Sequence, residues 1–343
     1  MIVALGLLVA MAVIGFGAPR YLAMTVAPGL NPRLALTAWT TSVVLTLAAL
    51  IAAPLSMLTM PGRNTFGAAH ACLGQLRDQG SLPWLDATQV VLTVASAALA
   101  LFLIGAVVRR LLAHRRSTAQ HLRTVSLAAD AAIGGGIRSH RGIPILWVDA
   151  PSPVCYNVRG RHPTIVASRH LAELPADQRL AVFEHEYAHL CGHHHILVVA
   201  AEALAAAMPI MPLFRAAPGA VRTLVEFAAD QRAAACHGAE NVGGALLTVQ
   251  SIATDAASET VARGPPPPPA PAGAGASQAT VLALSGDAMA ARLWWLGTEP
   301  SRRQRLCAPM DYPVALAVAL VPLALSVTAM FVTAALVCLQ LRS

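Results

Sequence analysis

Apolar and polar positions are distributed very unevenly along this chain. Four long runs carry no charged residue: 2–18, 34–60, 87–108 and 313–341. A helix needs about 20 consecutive apolar residues to cross a bilayer, so these runs predict about four transmembrane helices, the first at the short end. Between the third and fourth runs the pattern changes. Stretches 143–148, 153–158 and 164–167 read as short strands, with turn chemistry from Arg159, Gly160, His162 and Pro163 between the last two. Residues 176–190 read as a helix that begins after Pro175 and stops near Gly192. Further helices are expected from Glu226 to His237, over 242–257 and over 280–296. Residues 264–277, with the proline run 265–269, form a low-complexity flexible insertion.

Composition strengthens this picture. Of 343 residues 56% are hydrophobic and only 12% charged, and the mean hydropathy of +0.59 is too apolar for an ordinary soluble domain. The net charge is +7, carried on the basic side by arginine alone. Those arginines flank the apolar runs, as Arg109, Arg110, Arg115, Arg116 and Arg123 do after the third. This is a membrane-orientation signal, so no direct nucleic-acid binding is expected. The rule puts Arg20, Arg33 and everything from Arg109 to the fourth run inside. Both termini and the loop carrying Cys72 fall outside. The six cysteines form no CxxC pair and no framework, so a cysteine metal site is not expected.

The chemistry sits in His185-Glu186-Tyr187-Ala188-His189. Positions i and i+4 share a helix face, so His185 and His189 can hold one metal ion, with Glu186 beside them as a proton acceptor. This H-E-x-x-H spacing also arises by chance, so independent support matters. Downstream, Glu226 and Asp230 again lie four apart. Glu226 suits a third zinc ligand, and Asp230 suits a group that orients a ligating histidine from behind. The oxyanion-stabilising group is not identified; His162 and Arg292 are the candidates. His193, His194 and His195 read either as extra ligands or as polar residues at a helix end. Residues 196–214 are long enough to span, with Glu202 their only charge. A single crossing would strand Glu226 opposite His185. The segment is therefore expected to lie along, dip into or pack under the membrane, with a break near Pro209 and Pro212.

The strings Ser152-Pro153-Val154-Cys155-Tyr156, Pro163-Thr164-Ile165-Val166-Ala167-Ser168, His185-Glu186-Tyr187-Ala188-His189-Leu190 and Glu226-Phe227-Ala228-Ala229-Asp230 carry a resemblance. With the four-span plan around them, they resemble the BlaR/MecR-type membrane sensor-peptidases, in detail over roughly 143–235. The resemblance implies a mainly α integral membrane protein with a cytoplasmic α+β zincin (gluzincin) peptidase domain between the third and fourth spans. It implies zinc held by His185, His189 and Glu226, with Glu186 as general base. It implies cleavage of a BlaI-type repressor and of the chain itself, at the inner membrane of a bacterial cell. The best-known members carry an extracellular penicillin-binding sensor domain after the last span; here the last run ends two residues before the sequence does, and no such domain is expected. The expected division is 1–113 membrane region, 114–262 peptidase, 263–278 flexible loop, 279–311 helical segment and 312–343 last span. Two alternatives stay open: an HtpX-like quality-control membrane peptidase, and a non-catalytic membrane receptor or scaffold. The activating signal and the oligomeric state are not legible.

Overall fold

A computed structural model describes residues 2–26, 31–58, 83–127, 137–159, 162–262 and 286–297. The loop carrying Cys72, the proline-rich insertion and the fourth apolar run lie outside the described residues. The described chain is mostly helical, with one small sheet.

Three N-terminal helices come first: α1 (Ile2–Thr25), α2 (Pro32–Leu58) and α3 (Pro83–Leu127). Within α2 and α3 the stretches Pro32–Ala52 and Val94–Val125 are long and apolar enough to cross a membrane. The helix α3 runs unbroken through position 113, because nothing between Val108 and Leu127 interrupts it: the polar stretch after the apolar run is rich in Arg, Leu and Ala, all good helix formers. Its polar end reaches the sheet, where the His121 ring lies 2.7 Å from the Tyr156 hydroxyl.

The sheet has four strands: β1 (Ser139–His140), β2 (Ile143–Val148), β3 (Cys155–Val158) and β4 (Thr164–Ser168), in the order β1-β2-β4-β3. The expected strands are all present. The two-residue β1 has no signature in the apolar pattern; it is made by a tight turn at Arg141 and Gly142, both with positive φ (49° and 81°). β4 is central and buried along its whole length, paired parallel to β2 and antiparallel to β3.

Helix α4 (Ala176–Cys191) packs its Phe183 and Leu190 on Ile145, Trp147, Ile165 and Ala167 of the sheet. Helix α5 (His194–Ala207) then leaves at 58° to α4. After a short turn, α6 (Pro212–His237) packs back along α5, and Arg222 on α6 pairs with Glu202 on α5. The 196–214 segment is thus the outward arm and tip of a helical hairpin, broken where Pro209 and Pro212 predict. Its apolar faces join the first three helices in one core containing Leu22, Trp39, Leu103, Leu204, Leu213 and Leu224. Because α6 returns, Glu226 comes back to the level of His185, and the stranding problem does not arise. Helix α7 (Ala239–Ala262) and helix α8 (Gly286–Gly297) cover the other side, with Val242, Leu246, Met289 and Leu296 packed on Ala181 and Ala233.

Candidate metal centre

The sixteen-residue α4 turns His185 and His189 onto one face, and the returning α6 presents Glu226 to it. Glu226 Oε2 lies 3.4 Å from His185 Nε2, and Oε1 lies 3.4 Å from His189 Nε2. The two Nε2 atoms are 3.0 Å apart. One ligand atom from each of the three residues falls within 4.8 Å of the others. Among the described residues, Glu226 Oε2 is buried with ion-pair contacts to His185 and Arg292 but no aligned hydrogen bond. Burying an unsatisfied carboxylate oxygen is costly, and a cation between these groups would satisfy it. Two imidazole nitrogens and one carboxylate are a donor set that zinc accepts. The residues therefore fit the metal that the sequence implies.

The surrounding groups fix this arrangement. Asp230 Oδ1 lies 2.9 Å from His185 Nδ1, which turns Nε2 towards Glu226. Arg292 from α8 reaches Asp230 with two hydrogen bonds, Nε to Oδ2 at 2.6 Å and Nη2 to Oδ1 at 2.5 Å. Its Nη1 lies 3.3 Å from Glu226 Oε2 but is not aligned as a hydrogen bond. Glu186, buried on α4, accepts a 2.7 Å hydrogen bond at Oε2 from Asn157 Nδ2 on the edge strand β3. An apolar recess opens beside Glu186, walled by Ala181, Val182, Val242, Leu246 and Val249.

Electrostatics separate the two glutamates. Burial pushes Glu226 up, but His189, His185 and Arg292 outweigh it and hold the carboxyl well below the usual range. Asp230 is lowered in the same way, against burial, by Arg292 and His185. Burial dominates at Glu186 and raises it to about 7, although His185 and Asn157 favour its charged form. Burial alone would lower His185, yet Asp230 and Glu226 draw it up to about 10. Burial keeps His189 low, at about 3, against the pull of Glu226. The carboxylates that favour a proton on His185 favour any cation at the same place.

The structure brings His185, Glu186, His189, Glu226 and Asp230 together. His162 is exposed on the turn between β3 and β4. Arg292 is in the site, where it pairs with Asp230. A lone arginine in the apolar stretch Ala288–Trp295 was the available signal, because a charge in such a face is normally paired when buried. Asn157 carries no such signal. Nor does Glu184, whose fully buried carboxylate receives Arg141 Nε at 2.5 Å and Arg232 Nε at 2.9 Å, with His140 Nε2 also at 2.9 Å. The three histidines after α4 have three different fates. His193 lies against the Cys191 carbonyl (2.9 Å), His194 is buried against His189, and His195 stacks on His114 of α3.

Comparison with known proteins gives no relative: no protein-family model, no curated protein and no solved structure matches this chain.

Proposed function

We propose that this chain is a membrane-associated zinc endopeptidase that hydrolyses peptide bonds of a protein substrate beside the bilayer. The observation that carries the reading is the convergence of His185, His189 and Glu226 around one point, with the buried acid–base group Glu186 next to it. His185, His189 and Glu226 would hold the ion. A zinc ion held there supplies Lewis acidity, which acidifies a water and polarises a carbonyl.

The residues do the rest. Glu186 accepts a proton from the attacking water and delivers it to the leaving amine; burial raises its affinity for that proton. Asn157 holds Oε2 of Glu186 in place, so that the other carboxylate oxygen can take the proton. Asp230, itself fixed by Arg292, keeps His185 in the orientation that ligation needs. An extended substrate would lie along the β3 edge and put an apolar side chain into the recess beside Glu186. The apolar spans anchor the site to the membrane. With the arginine pattern, they favour a cytoplasmic site, and the resemblance favours a bacterial inner membrane. The sequence strings that resemble sensor-peptidases favour a BlaI-type repressor, and the chain itself, as substrates.

The test is paired. Full-length wild type and Glu186→Gln are purified in detergent, loaded with zinc and incubated with a BlaI-type repressor, and fragments are read by mass spectrometry. The wild type is expected to cut the repressor. The variant is expected to keep its zinc and lose about 100-fold or more in rate, the usual contribution of a general base. Equal cleavage by both proteins would overturn the role of Glu186. Cleavage of unfolded membrane proteins but not of the repressor would replace signalling with quality control.

A further inference from the structure

The turn between α4 and α5 is built in an unusual way. It consists of Gly192 and His193, and His193 adopts the left-handed conformation (φ 54°), shared among the described non-glycine residues only with Arg141. This turn is clamped from outside. Arg159 Nη1, at the end of β3, donates to the Leu190 carbonyl at 2.8 Å, and its Nη2 lies 2.8 Å from His193 Nε2. The reversal folds His194 back over the last turn of α4. Its ring is buried, and its Nδ1 lies 3.0 Å from Nδ1 of His189. The rings stand edge to face, with centroids 4.9 Å apart and planes at 88°.

Gly192 makes room for this. Its φ of −76° suits any residue, so the demand for glycine is steric. A Cβ there would lie 2.2 Å from His194 Nε2.

His189 has two ring nitrogens, and Nε2 faces His185 and Glu226. For Nε2 to offer a lone pair, Nδ1 must carry the hydrogen and find an acceptor. Asp230 does this for His185; among the described residues it is His194, not a carboxylate, that meets Nδ1 of His189. We infer that His194 is the positioning residue of His189: its Nδ1 accepts the His189 Nδ1–H and so fixes the tautomer and ring angle that aim Nε2 at the metal. The two histidines of the site are thus oriented by chemically different partners, a carboxylate behind His185 and a neutral imidazole behind His189. This rests on the metal-centre reading above.

The test compares full-length wild type, His194→Leu, His194→Asn and Gly192→Ala in detergent. Zinc affinity is read by competition with a chromophoric chelator, and the absorption of the cobalt-substituted proteins reports ligand geometry. His194→Leu keeps bulk and removes the acceptor; its zinc affinity is expected to fall about 10- to 100-fold with an altered cobalt spectrum, as usual when a ligand's hydrogen-bond partner is lost. His194→Asn keeps an acceptor and is expected to stay near wild type. Gly192→Ala displaces the His194 ring without touching its chemistry and is expected to bind as weakly as the Leu variant. It also carries the test if His194→Leu does not fold. Wild-type affinity in His194→Leu or Gly192→Ala would overturn the inference alone, as would an equal loss in the Asn and Leu variants. A wild-type protein that takes up no zinc would overturn the metal-centre reading, and this inference with it.

Discussion

The residue scale is best seen at Glu184, one position before the first histidine of the site. Its carboxylate is wholly buried and meets Arg141 and His140 from the β1–β2 hairpin and Arg232 from α6. Both guanidinium groups also lie over the Tyr187 ring, 5.6 and 5.0 Å from its centre. One carboxylate thus ties sheet, α4 and α6 together next to His185. Burial would raise its pKa, but the hydrogen bonds from His140, Arg232 and Arg141 pull it from the ordinary 4.5 to about 2. A carboxylate whose folded value is lowered stabilises the fold above its unfolded value and loses that contribution as pH falls through the folded one. The Glu184 contribution is therefore complete above about pH 4.5 and is lost towards pH 2. Glu184→Gln is expected to cost at least about 1.5 kcal/mol near neutrality, the scale of one hydrogen bond to a charged group. The gap in thermal midpoint between variant and wild type should then narrow on acidification. A gap that stays constant across the acid range would show that the charge of Glu184 contributes nothing.

At the scale of elements, the α5–α6 hairpin decides whether a site exists. Between helices in lipid the hydrophobic effect gives no drive, and close packing of small residues takes its place. Small residues of the hairpin and its neighbours meet the same requirement for close packing: Ala18, Ala35, Ala38, Ala100, Ala201 and Ala217 are all buried in their shared core. At the tip, Met211 lies over Gly15 of α1. A Cβ on Gly15 would come within 2.9 Å of the Met211 sulfur. Gly15→Leu is expected to destabilise the protein by about 1–3 kcal/mol, the usual cost of overpacking a filled interior. Met211→Ala in the same chain should recover much of that loss. Thermal unfolding of the two single variants and the double variant gives the coupling directly. Strict additivity would mean that the tip does not pack on α1.

For the molecule as a whole, what the sequence revealed and what it hid divide by the range of the interaction. Local periodicity made the short strands, the helix of His185 and His189, and the Glu226–Asp230 pair legible, because each depends on residues at most a few positions apart. Hydropathy also marked residues 196–214 as membrane-like. It could not tell a single crossing from an out-and-back hairpin, since both bury the same apolar residues; the position of Glu226 supplied that constraint. The partners that complete the site come from distant elements. Asn157 lies 29 positions before Glu186, and Arg292 lies 62 positions after Asp230. No local pattern encodes such pairs. His194 is close in sequence to His189, yet its role depends on a left-handed residue that the string of three histidines does not announce. We propose that His185, His189 and Glu226 form one metal centre in a membrane-associated fold. Metal analysis of the full-length protein after zinc loading and removal of free ion tests it most directly, alongside His185→Ala and Glu226→Ala. One tightly held zinc per chain in the wild type, lost or much weakened in both variants, is the predicted result; equal zinc in all three proteins, or none in folded wild type, would contradict it.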